Sequence, residues 1–247
     1  MDSPMLPENT LEWPDFSRRS SREEWMDDPD VEPELLVRTL ADLGRINAFL
    51  GGHATSLRGI QRVVGNGDRP ISVLDVGCGG GDLVEPLTRW ASRQGRGLRY
   101  VGLDLSPVAI DCARQRWSAK EQVEFVCADL HDLAEQMSNR SFDVVHTALV
   151  LHHLQDDQVV AALQSMAALA DLGVVINDLH RHPAGYLGAN VVLRLLSKQP
   201  MIVHDGALSV LRGFRAQELR ALAEQAGVDS FDLEWRPLFR WLAVCRT

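Results

Sequence analysis

The sequence has few cysteines and a shortage of positive charge, and each shortage excludes a class of protein. The 247 residues include four cysteines, none in a CxxC pair, so we expect neither a disulfide framework nor a thiolate metal site. Lysine and arginine number 25 against 34 aspartates and glutamates, which gives a net charge of −9. Because nucleic-acid binding requires a basic surface that contacts phosphates, we do not expect a nucleic-acid partner.

Long apolar runs are also missing. No uncharged stretch approaches the roughly 20 residues that cross a bilayer, and the polar N-terminus lacks the apolar segment of a secretory signal. We therefore expect a cytoplasmic protein without a membrane span. The hydrophobic fraction of 45% is ordinary and is typical of a globular domain with a buried core.

The order of predicted elements defines two regions. Helical spacing of apolar residues predicts helices over 33–50 and 56–64, and we assign residues 1–66 to an N-terminal arm with cap helices. In residues 67–247, short apolar strands alternate with helices, which predicts a mostly parallel sheet covered on both faces. Residues 179–213 interrupt this alternation and are predicted to form a helical insert that caps the substrate.

The strongest motif follows the first predicted strand. Asp75 precedes three alternating glycines, Gly77, Gly79 and Gly81. Glycines at such a turn permit positive φ and let a ligand approach the backbone closely, and nucleotides bind at this edge of parallel sheets. A dinucleotide fingerprint would need its third glycine where this chain has Asp82. A nicotinamide-dependent reductase is therefore only a weak alternative.

Carboxylates also end the next two predicted strands. Asp104 can accept hydrogen bonds from both hydroxyls of a ribose, and Asp129 can accept one from an adenine amino group. Aspartate ends many strands only as a turn former. The ordered occurrence of Asp75, Asp104 and Asp129 nevertheless favours a nucleoside site.

These motifs resemble those of the class I S-adenosylmethionine-dependent methyltransferases, over about residues 70–247. The resemblance implies an α/β Rossmann-like fold with a seven-stranded, mostly parallel sheet, helices on both faces and an antiparallel last strand. It also implies S-adenosyl-L-methionine as the cofactor. The residues predicted to bind the cofactor are Arg45, Asp75, Gly77, Cys78, Gly79, Gly81, Asp104, Leu105, Asp129, Leu130 and His146.

A nearer resemblance extends over most of the chain. Segments 45–53, 177–183 and 204–214 are similar to bacterial methyltransferases found beside type III polyketide synthases, which O-methylate alkylresorcinol-type phenols. This resemblance implies a phenolic or polyketide-type small molecule with an apolar portion as the methyl acceptor. The insert residues predicted to line its pocket are Tyr186, Leu187, Val191, Val192, Leu195, Leu196, Ile202 and Leu208.

Paired histidines follow the fourth predicted strand. A phenol has a pKa of about 10 and must lose its proton to become a good nucleophile, and histidine is the side chain best suited to take that proton at neutral pH. The segment 151–157 resembles the one that presents the catalytic histidine in small-molecule O-methyltransferases. His152 is therefore the predicted general base and His153 the alternative, with His180 and His182 in reserve.

A magnesium site like that of catechol-type methyltransferases is not expected. Asn177 and Asp178 would supply oxygen ligands from one side only, because the fourth strand ends without a carboxylate. Two other functions stay open: a C-methyltransferase acting on a quinone-like or polyketide carbon acid, and a non-catalytic partner subunit that binds S-adenosylmethionine. Histidines at the acceptor face beside an intact glycine loop argue against the partner subunit.

Overall fold

The computed structural model describes residues 13–28, 30–137 and 139–247. The strands in these ranges are β1 (Ile71–Val76), β2 (Leu98–Asp104), β3 (Val123–Cys127), β4 (Phe142–Ala148), β5 (Ala170–Leu179), β6 (Phe231–Arg236) and β7 (Arg240–Arg246). The helices are α1 (Pro33–Phe49), α2 (Gly52–Val64), α3 (Val84–Arg93), α4 (Pro107–Trp117), α5 (Leu133–Gln136), α6 (Asp156–Leu169), α7 (Pro183–Leu196), α8 (Pro200–Arg212) and α9 (Ala216–Gln225). Single 3-10 turns lie at Trp25–Asp27, Leu130–Asp132 and Leu151–His153.

The strands form one sheet in the order β3-β2-β1-β4-β5-β7-β6. β1 to β5 are parallel, whereas β7 is antiparallel to both β5 and β6. The chain builds outward from β1 in one direction and then from β4 in the other, and ligands bind at the carboxyl ends beside such a switch point. The predicted Rossmann-like fold with an antiparallel last strand is confirmed.

Successive residues of β1 enter different cores. Leu74 and Val76 belong to the cluster on one face of the sheet, and Ile71 and Val73 to the cluster on the other. This follows because neighbouring side chains of a strand point to opposite faces. A strand buried on both faces is apolar at nearly every position, as the sequence of β1 is.

The first two helices meet at a glycine turn. α1 begins at Pro33 as predicted, but α2 begins at Gly52, earlier than the predicted start at Ser56. Gly51 has a φ of 75°, which glycine adopts without strain, so α2 follows α1 almost at once. α2 then packs directly on β4, β5 and β7. It therefore covers the sheet, although the sequence groups it with the N-terminal arm.

The predicted helical insert after β5 is present as α7 and α8. α1 packs against both of them, and Ile46, Leu193 and Ile202 form a separate small core cluster there. The N-terminal arm lies on the same layer, with Trp25 stacked on His204 at 4.1 Å between ring centroids. Among the residues that the structure describes, no helix combines the length and apolar composition needed to cross a membrane.

Candidate functional site

The loop after β1 is packed on one side and open on the other. Gly77, Gly79 and Gly81 have φ values of 71°, 51° and 72°. A Cβ at Gly77 would collide with the side chain of Val150 beneath the loop, whereas a Cβ at Gly80 would meet nothing within 4 Å. This open backbone is the cradle that a nucleoside ligand requires for close approach, so the loop fits the predicted cofactor.

Asp104 joins the end of β2 to the glycine loop. Its carboxylate accepts a hydrogen bond from the Gly79 amide at 2.8 Å and another from the Ser106 amide at 2.9 Å. Burial raises the pKa of the Asp104 carboxyl, although both amide hydrogen bonds oppose the shift. Asp129 lies after β3, where it accepts from the His131 amide at 2.9 Å. Each carboxylate oxygen has more than one lone pair, so both can still accept from a ligand.

Three other residues of the predicted cofactor set lie around these carboxylates. Leu105 is 66% exposed beside Asp104, and half-buried Leu130 packs against the core. These two side chains offer apolar surface next to the polar cradle. Cys78 is buried beneath the loop, and burial raises the pKa of its thiol well above the usual value. The Cys78 thiol is therefore neutral and belongs to the packing below the cradle.

Asp75 and His146 take part in a buried polar network beneath the loop. Oδ2 of Asp75 accepts from the Tyr100 hydroxyl at 2.5 Å, and Oδ1 lies 2.6 Å from Nδ1 of His146. Nε2 of His146 lies 2.8 Å from the Ser56 hydroxyl, which also accepts from the Asn177 amide at 2.9 Å. The network ties four strands to α2 and braces the loop from below. Direct contact of Asp75 and His146 with the cofactor stays a prediction.

Arg45 lies on the outer side of α1. Its side chain is 77% exposed and pairs with Asp42 at 2.9 Å. Successive residues of an α-helix point about 100° apart, and the neighbouring Gly44 is the residue that packs against the Asp82 carboxylate after the glycine loop. Leu40 lies nearest to Gly79. Within the described contacts α1 thus presents apolar and small residues to the loop, and cofactor binding by Arg45 stays a prediction.

The predicted histidines lie on a strained turn after β4. Leu149 has a φ of 58°, which is uncommon for a residue other than glycine and is typical of functional turns. The following 3-10 turn buries His152 and leaves His153 partly exposed. Leu149, His152 and His153 all line the same cavity, so the turn directs both imidazoles to one place.

Asp178 at the end of β5 orients His152. Its Oδ1 atom lies 2.7 Å from Nδ1 of His152 and also accepts from the Leu179 amide at 2.7 Å. Burial by itself raises the pKa of Asp178, but the charge and hydrogen bond of His152 outweigh it, and the net pKa is lowered. An ionised carboxylate only accepts hydrogen bonds, so Nδ1 donates to Asp178, and whenever the ring is neutral its lone pair lies on Nε2.

The N-terminal arm supplies two carboxylates to this site. Glu24 is 3% exposed, and its Oε1 atom lies 3.6 Å from Nε2 of His152 and accepts from the Ser209 hydroxyl at 2.8 Å. Asp27 lies 2.9 Å from Nδ1 of His153. Burial lowers the pKa of His153, but the hydrogen bond to Asp27 and the charge of Glu24 outweigh it and raise the pKa. Neither carboxylate is expected at the site from the sequence.

Two arginines donate hydrogen bonds to the main chain of the histidine turn. Arg212 of α8 donates to the carbonyl oxygens of His152 at 3.0 Å and His153 at 2.7 Å. Arg19 of the arm donates to the carbonyls of His152 at 3.0 Å and Leu154 at 2.7 Å. Hydrogen bonds from charged donors are the stronger ones, so these contacts hold the turn, and with it both imidazoles, in one conformation.

The histidines face a cavity of about 280 Å³. Its walls are mostly apolar and come from α1, the insert and the loop before β7, and its polar lining consists of Glu24, His152, His153, Asp205 and Ser209 together with Thr39, Asn47 and Arg240. Pockets of this kind, apolar with a few convergent polar groups, bind small organic molecules. Apolar residues that line it include Leu43, Ile46, Leu50, Ala189, Val192, Leu193, Ile202, Val210, Leu238 and Phe239.

The predicted lining of the insert is correct for two of eight residues. Val192 and Ile202 line the cavity, whereas Tyr186 packs edge-on against Phe16 of the arm and Leu208 is buried. For the other predicted residues of α7 the prediction was wrong because this helix is apolar on both faces. Its inner face carries small residues that allow close packing. The exposed residues of its outer side are Leu187, Val191, Leu195 and Leu196.

The reserve histidines have packing roles. His182 caps α7 by accepting from the Ala184 amide at 3.1 Å. His180 lies against Trp241 with ring centroids 4.6 Å apart. Burial, with the nearby charges of His182 and Arg181, lowers the pKa of His180 to about 4. Neither His180 nor His182 is among the described residues that line the cavity.

Comparison with known proteins identifies the class. A family described as "Methyltransferase domain" matches residues 73–173. The ubiquinone biosynthesis O-methyltransferase of Acinetobacter baylyi is 30% identical over 184 residues, which cover 69% of this chain and 71% of that protein. The enzyme of the same name from Neisseria meningitidis serogroup C is 28% identical over 215 residues, 84% of this chain and 81% of the relative.

Solved structures share the fold. Human N-acetylserotonin methyltransferase in complex with S-adenosylmethionine matches with a TM-score of 0.62 and 15% identity. The match covers 87% of this chain but 56% of the human chain. The plantazolicin methyltransferase BpumL in complex with S-adenosylhomocysteine matches with a TM-score of 0.64 and 15% identity. The match covers 90% of this chain and 92% of the BpumL chain. The chain thus spans little more than half of the human enzyme.

The site and the relatives indicate the same class of protein. The site contributes the open glycine cradle and the carboxylates after β2 and β3. The chain belongs to the class I S-adenosylmethionine-dependent methyltransferases. It is therefore an enzyme, and the cofactor of this class is S-adenosyl-L-methionine. The two relatives carry names from ubiquinone biosynthesis, so the nearer resemblance to polyketide-associated methyltransferases is not confirmed and stays a prediction.

Proposed function

We propose that the protein transfers a methyl group to a hydroxyl oxygen of a small aromatic acceptor with an apolar portion, a phenolic or polyketide-type molecule bound in the cavity. The observation that carries the proposal is His152, which lies at the cavity with Nδ1 bound to Asp178 at 2.7 Å. The names of the relatives, which are O-methyltransferases, support oxygen as the methylated atom.

The glycine loop, Asp104 and Asp129 would hold the cofactor, which supplies an electrophilic methyl group on its sulfonium when bound. The residues of the cavity act on the acceptor. Apolar walls from α1 and the insert take up its apolar portion and exclude water. The acceptor hydroxyl is then placed beside His152.

His152 accepts the hydroxyl proton on Nε2 as the oxygen becomes a nucleophile. The ring then carries a positive charge, which the ionised Asp178 stabilises through Nδ1 while it holds the ring in place. Glu24, 3.6 Å from Nε2, favours the same charged form. Arg19 and Arg212 keep the turn from shifting, so proton transfer requires little movement of the protein.

The direct test is product analysis. The purified protein is incubated with S-adenosylmethionine labelled in its methyl group and with a panel of phenols, quinones and polyketides. We expect a product labelled on oxygen, identified by mass spectrometry and by the chemical shift of the labelled methyl in NMR. A label on carbon would favour the C-methyltransferase, and cofactor binding without product from any acceptor would favour the non-catalytic partner subunit.

The position of the acceptor is tested by adding bulk to the cavity wall. Val192 lines the cavity, whereas its neighbour Val191 is 58% exposed on the outer side of α7. Val192→Trp should raise KM for the acceptor by at least about tenfold, since a lost apolar contact and a blocked site cost more than about 1.4 kcal/mol. Val191→Trp is the matched control and should leave KM unchanged. Equal KM values for the two variants would contradict this position.

The cofactor cradle is tested at Asp104. Asp104→Ala should weaken binding of S-adenosylmethionine by about 1.5–3 kcal/mol, roughly 10- to 150-fold in Kd, because it removes the ribose acceptor and the brace on Gly79. Asp111→Ala, an exposed carboxylate on α4, is the control. Calorimetry that gives the same Kd for wild type and Asp104→Ala would leave Asp104 a strand-end residue only.

A further inference from the structure

The ligand atoms of three residues converge beside the histidines that line the cavity. Nε2 of His152 lies 3.6 Å from one oxygen of Glu24, and Nε2 of His153 lies 4.0 Å from the other. The ligand atoms of these three residues all lie within 4.8 Å of one another. The separations are too long for hydrogen bonds. They are close to the roughly 3.3–3.5 Å between ligands that bind one zinc ion at about 2.0–2.2 Å.

The other nitrogen of each ring is already fixed by a carboxylate. Asp178 lies 2.7 Å from Nδ1 of His152, and Asp27 lies 2.9 Å from Nδ1 of His153. In metal sites, a carboxylate on the far nitrogen orients the imidazole and increases its basicity as a ligand. Two such pairs, both leaving Nε2 directed at the same carboxylate, form a prepared ligand set.

The charge around Glu24 favours a cation. Glu24 is buried, and Asp27, Asp178 and Asp205 lie around it on the arm, β5 and α8. His204 pairs with Asp205 at 2.8 Å and Arg240 lies near Asp178, whereas the nearby Arg212 donates to main-chain carbonyls of the arm and of the histidine turn. Burial of an ionised carboxylate is costly unless a cation or several donors compensate it. A divalent ion would supply this compensation.

We propose that Glu24, His152 and His153 bind a divalent first-row transition ion such as Zn²⁺, and that the bound ion blocks methyl transfer. Two imidazole nitrogens and a carboxylate suit Zn²⁺, whereas Mg²⁺ prefers oxygen ligands. The ion takes the lone pair on Nε2 of His152, which is then no longer available for the acceptor proton. This second half rests on the proposed function, while the binding site itself does not.

The sequence predicts no metal site, and the proposal departs from that expectation. That expectation concerned oxygen ligands at the ends of the fourth and fifth strands. Glu24 is far from the histidines in the chain and is brought to them by the packing of the arm, in which Trp25 and Met26 donate their amides to Asp205 at 2.9 and 3.0 Å. These contacts fix the arm against α8.

The binding test uses the metal-free full-length protein, titrated with ZnCl₂ in a calorimeter without cofactor or acceptor. We expect one ion per chain. Glu24→Gln, which keeps the shape of the side chain, should weaken binding by at least about 10- to 100-fold, and Asp27→Asn by about that range. Glu23→Gln, the exposed neighbouring carboxylate, is the matched control and should bind as wild type does.

Absence of stoichiometric Zn²⁺ binding to wild type would overturn the site, as would equal affinity in wild type and Glu24→Gln. The kinetic arm adds one equivalent of Zn²⁺ to the methyl-transfer assay. Turnover should fall when Zn²⁺ is added and recover when EDTA removes it. The turnover of Glu24→Gln should be less sensitive to Zn²⁺ than that of Glu23→Gln. Undiminished or faster turnover with Zn²⁺ bound would overturn the blocking role. Since binding is measured without methyl transfer, failure of the metal site and failure of the proposed base are separate results.

Discussion

Replacement of His152 by alanine should lower kcat for methyl transfer by about 100- to 10,000-fold, the range typical of lost proton-transfer catalysis. The physical reason is the position of His152 at the cavity, where Asp178 holds Nδ1 and leaves Nε2 to accept the proton. Cofactor binding should stay intact, because the glycine loop and Asp104 lie on other strand ends. Single-turnover kinetics with metal-free enzyme and a phenolic acceptor measure the effect.

The pH dependence separates a lost base from general damage. A phenol ionises without help as the pH approaches its pKa of about 10, so the difference between wild type and His152→Ala should shrink as the pH rises. A variant with a disturbed cavity would instead be impaired at every pH. Equal rates for wild type and His152→Ala at neutral pH would contradict the base, and catalysis would then rest on proximity to the sulfonium alone.

His153→Ala is the matched control for this experiment. The two residues are adjacent and both line the cavity, but Nδ1 of His153 is bound by Asp27, a half-exposed residue of the arm. Its loss should cost far less than the loss of His152. Because alanine at 152 leaves the buried Asp178 without its partner, which can destabilise the fold, His152→Asn serves as a second variant that keeps a polar group there. A thermal melt of each variant checks the fold.

The cofactor loop could be predicted from the sequence because its signal is local. Gly77, Gly79 and Gly81 are close in the chain, and their positive φ values are a property of the loop itself. The carboxylates Asp104 and Asp129 followed from strand order alone, since parallel strands bring their carboxyl ends to one edge. Both inferences require only the hydrophobic periodicity and the order of the strands and helices. They require no knowledge of how side chains pack.

The acceptor site could be predicted only in part, because its contacts depend on how distant segments pack. Asp178 was visible as a carboxylate ending a strand, but its pairing with His152 depends on the alignment of β4 with β5, where Ala148 lies beside Asn177. Arg19 and Glu24 lie in an arm with little regular structure, so no periodicity indicates what they contact. Whether Arg45 points toward the glycine loop depends on how α1 is rotated about its own axis. A rotation by one residue, about 100°, would bring a different side chain to the loop.

Asp178→Asn should lower kcat by about the same 100- to 10,000-fold as loss of the base. An asparagine keeps the size of the side chain, but its amide can present an N–H to Nδ1 of His152. The ring would then accept on Nδ1 and place its proton on Nε2, so the nitrogen that faces the cavity could no longer accept the phenol proton. The missing negative charge would also leave the imidazolium without its buried partner.

A tautomer effect has a signature that simple damage lacks. ¹⁵N chemical shifts of His152 should show the lone pair on Nε2 in wild type and on Nδ1 in Asp178→Asn. Asp171→Asn is the matched control, because this exposed carboxylate opens the same strand and its hydrogen bond to Ser141 lies at the opposite end of the sheet. Asp178→Asn with wild-type kcat, or with an unchanged ¹⁵N pattern, would contradict the orienting role of Asp178. In that case the short contact between the two residues would serve to compensate the buried carboxylate and not to prepare His152 for catalysis.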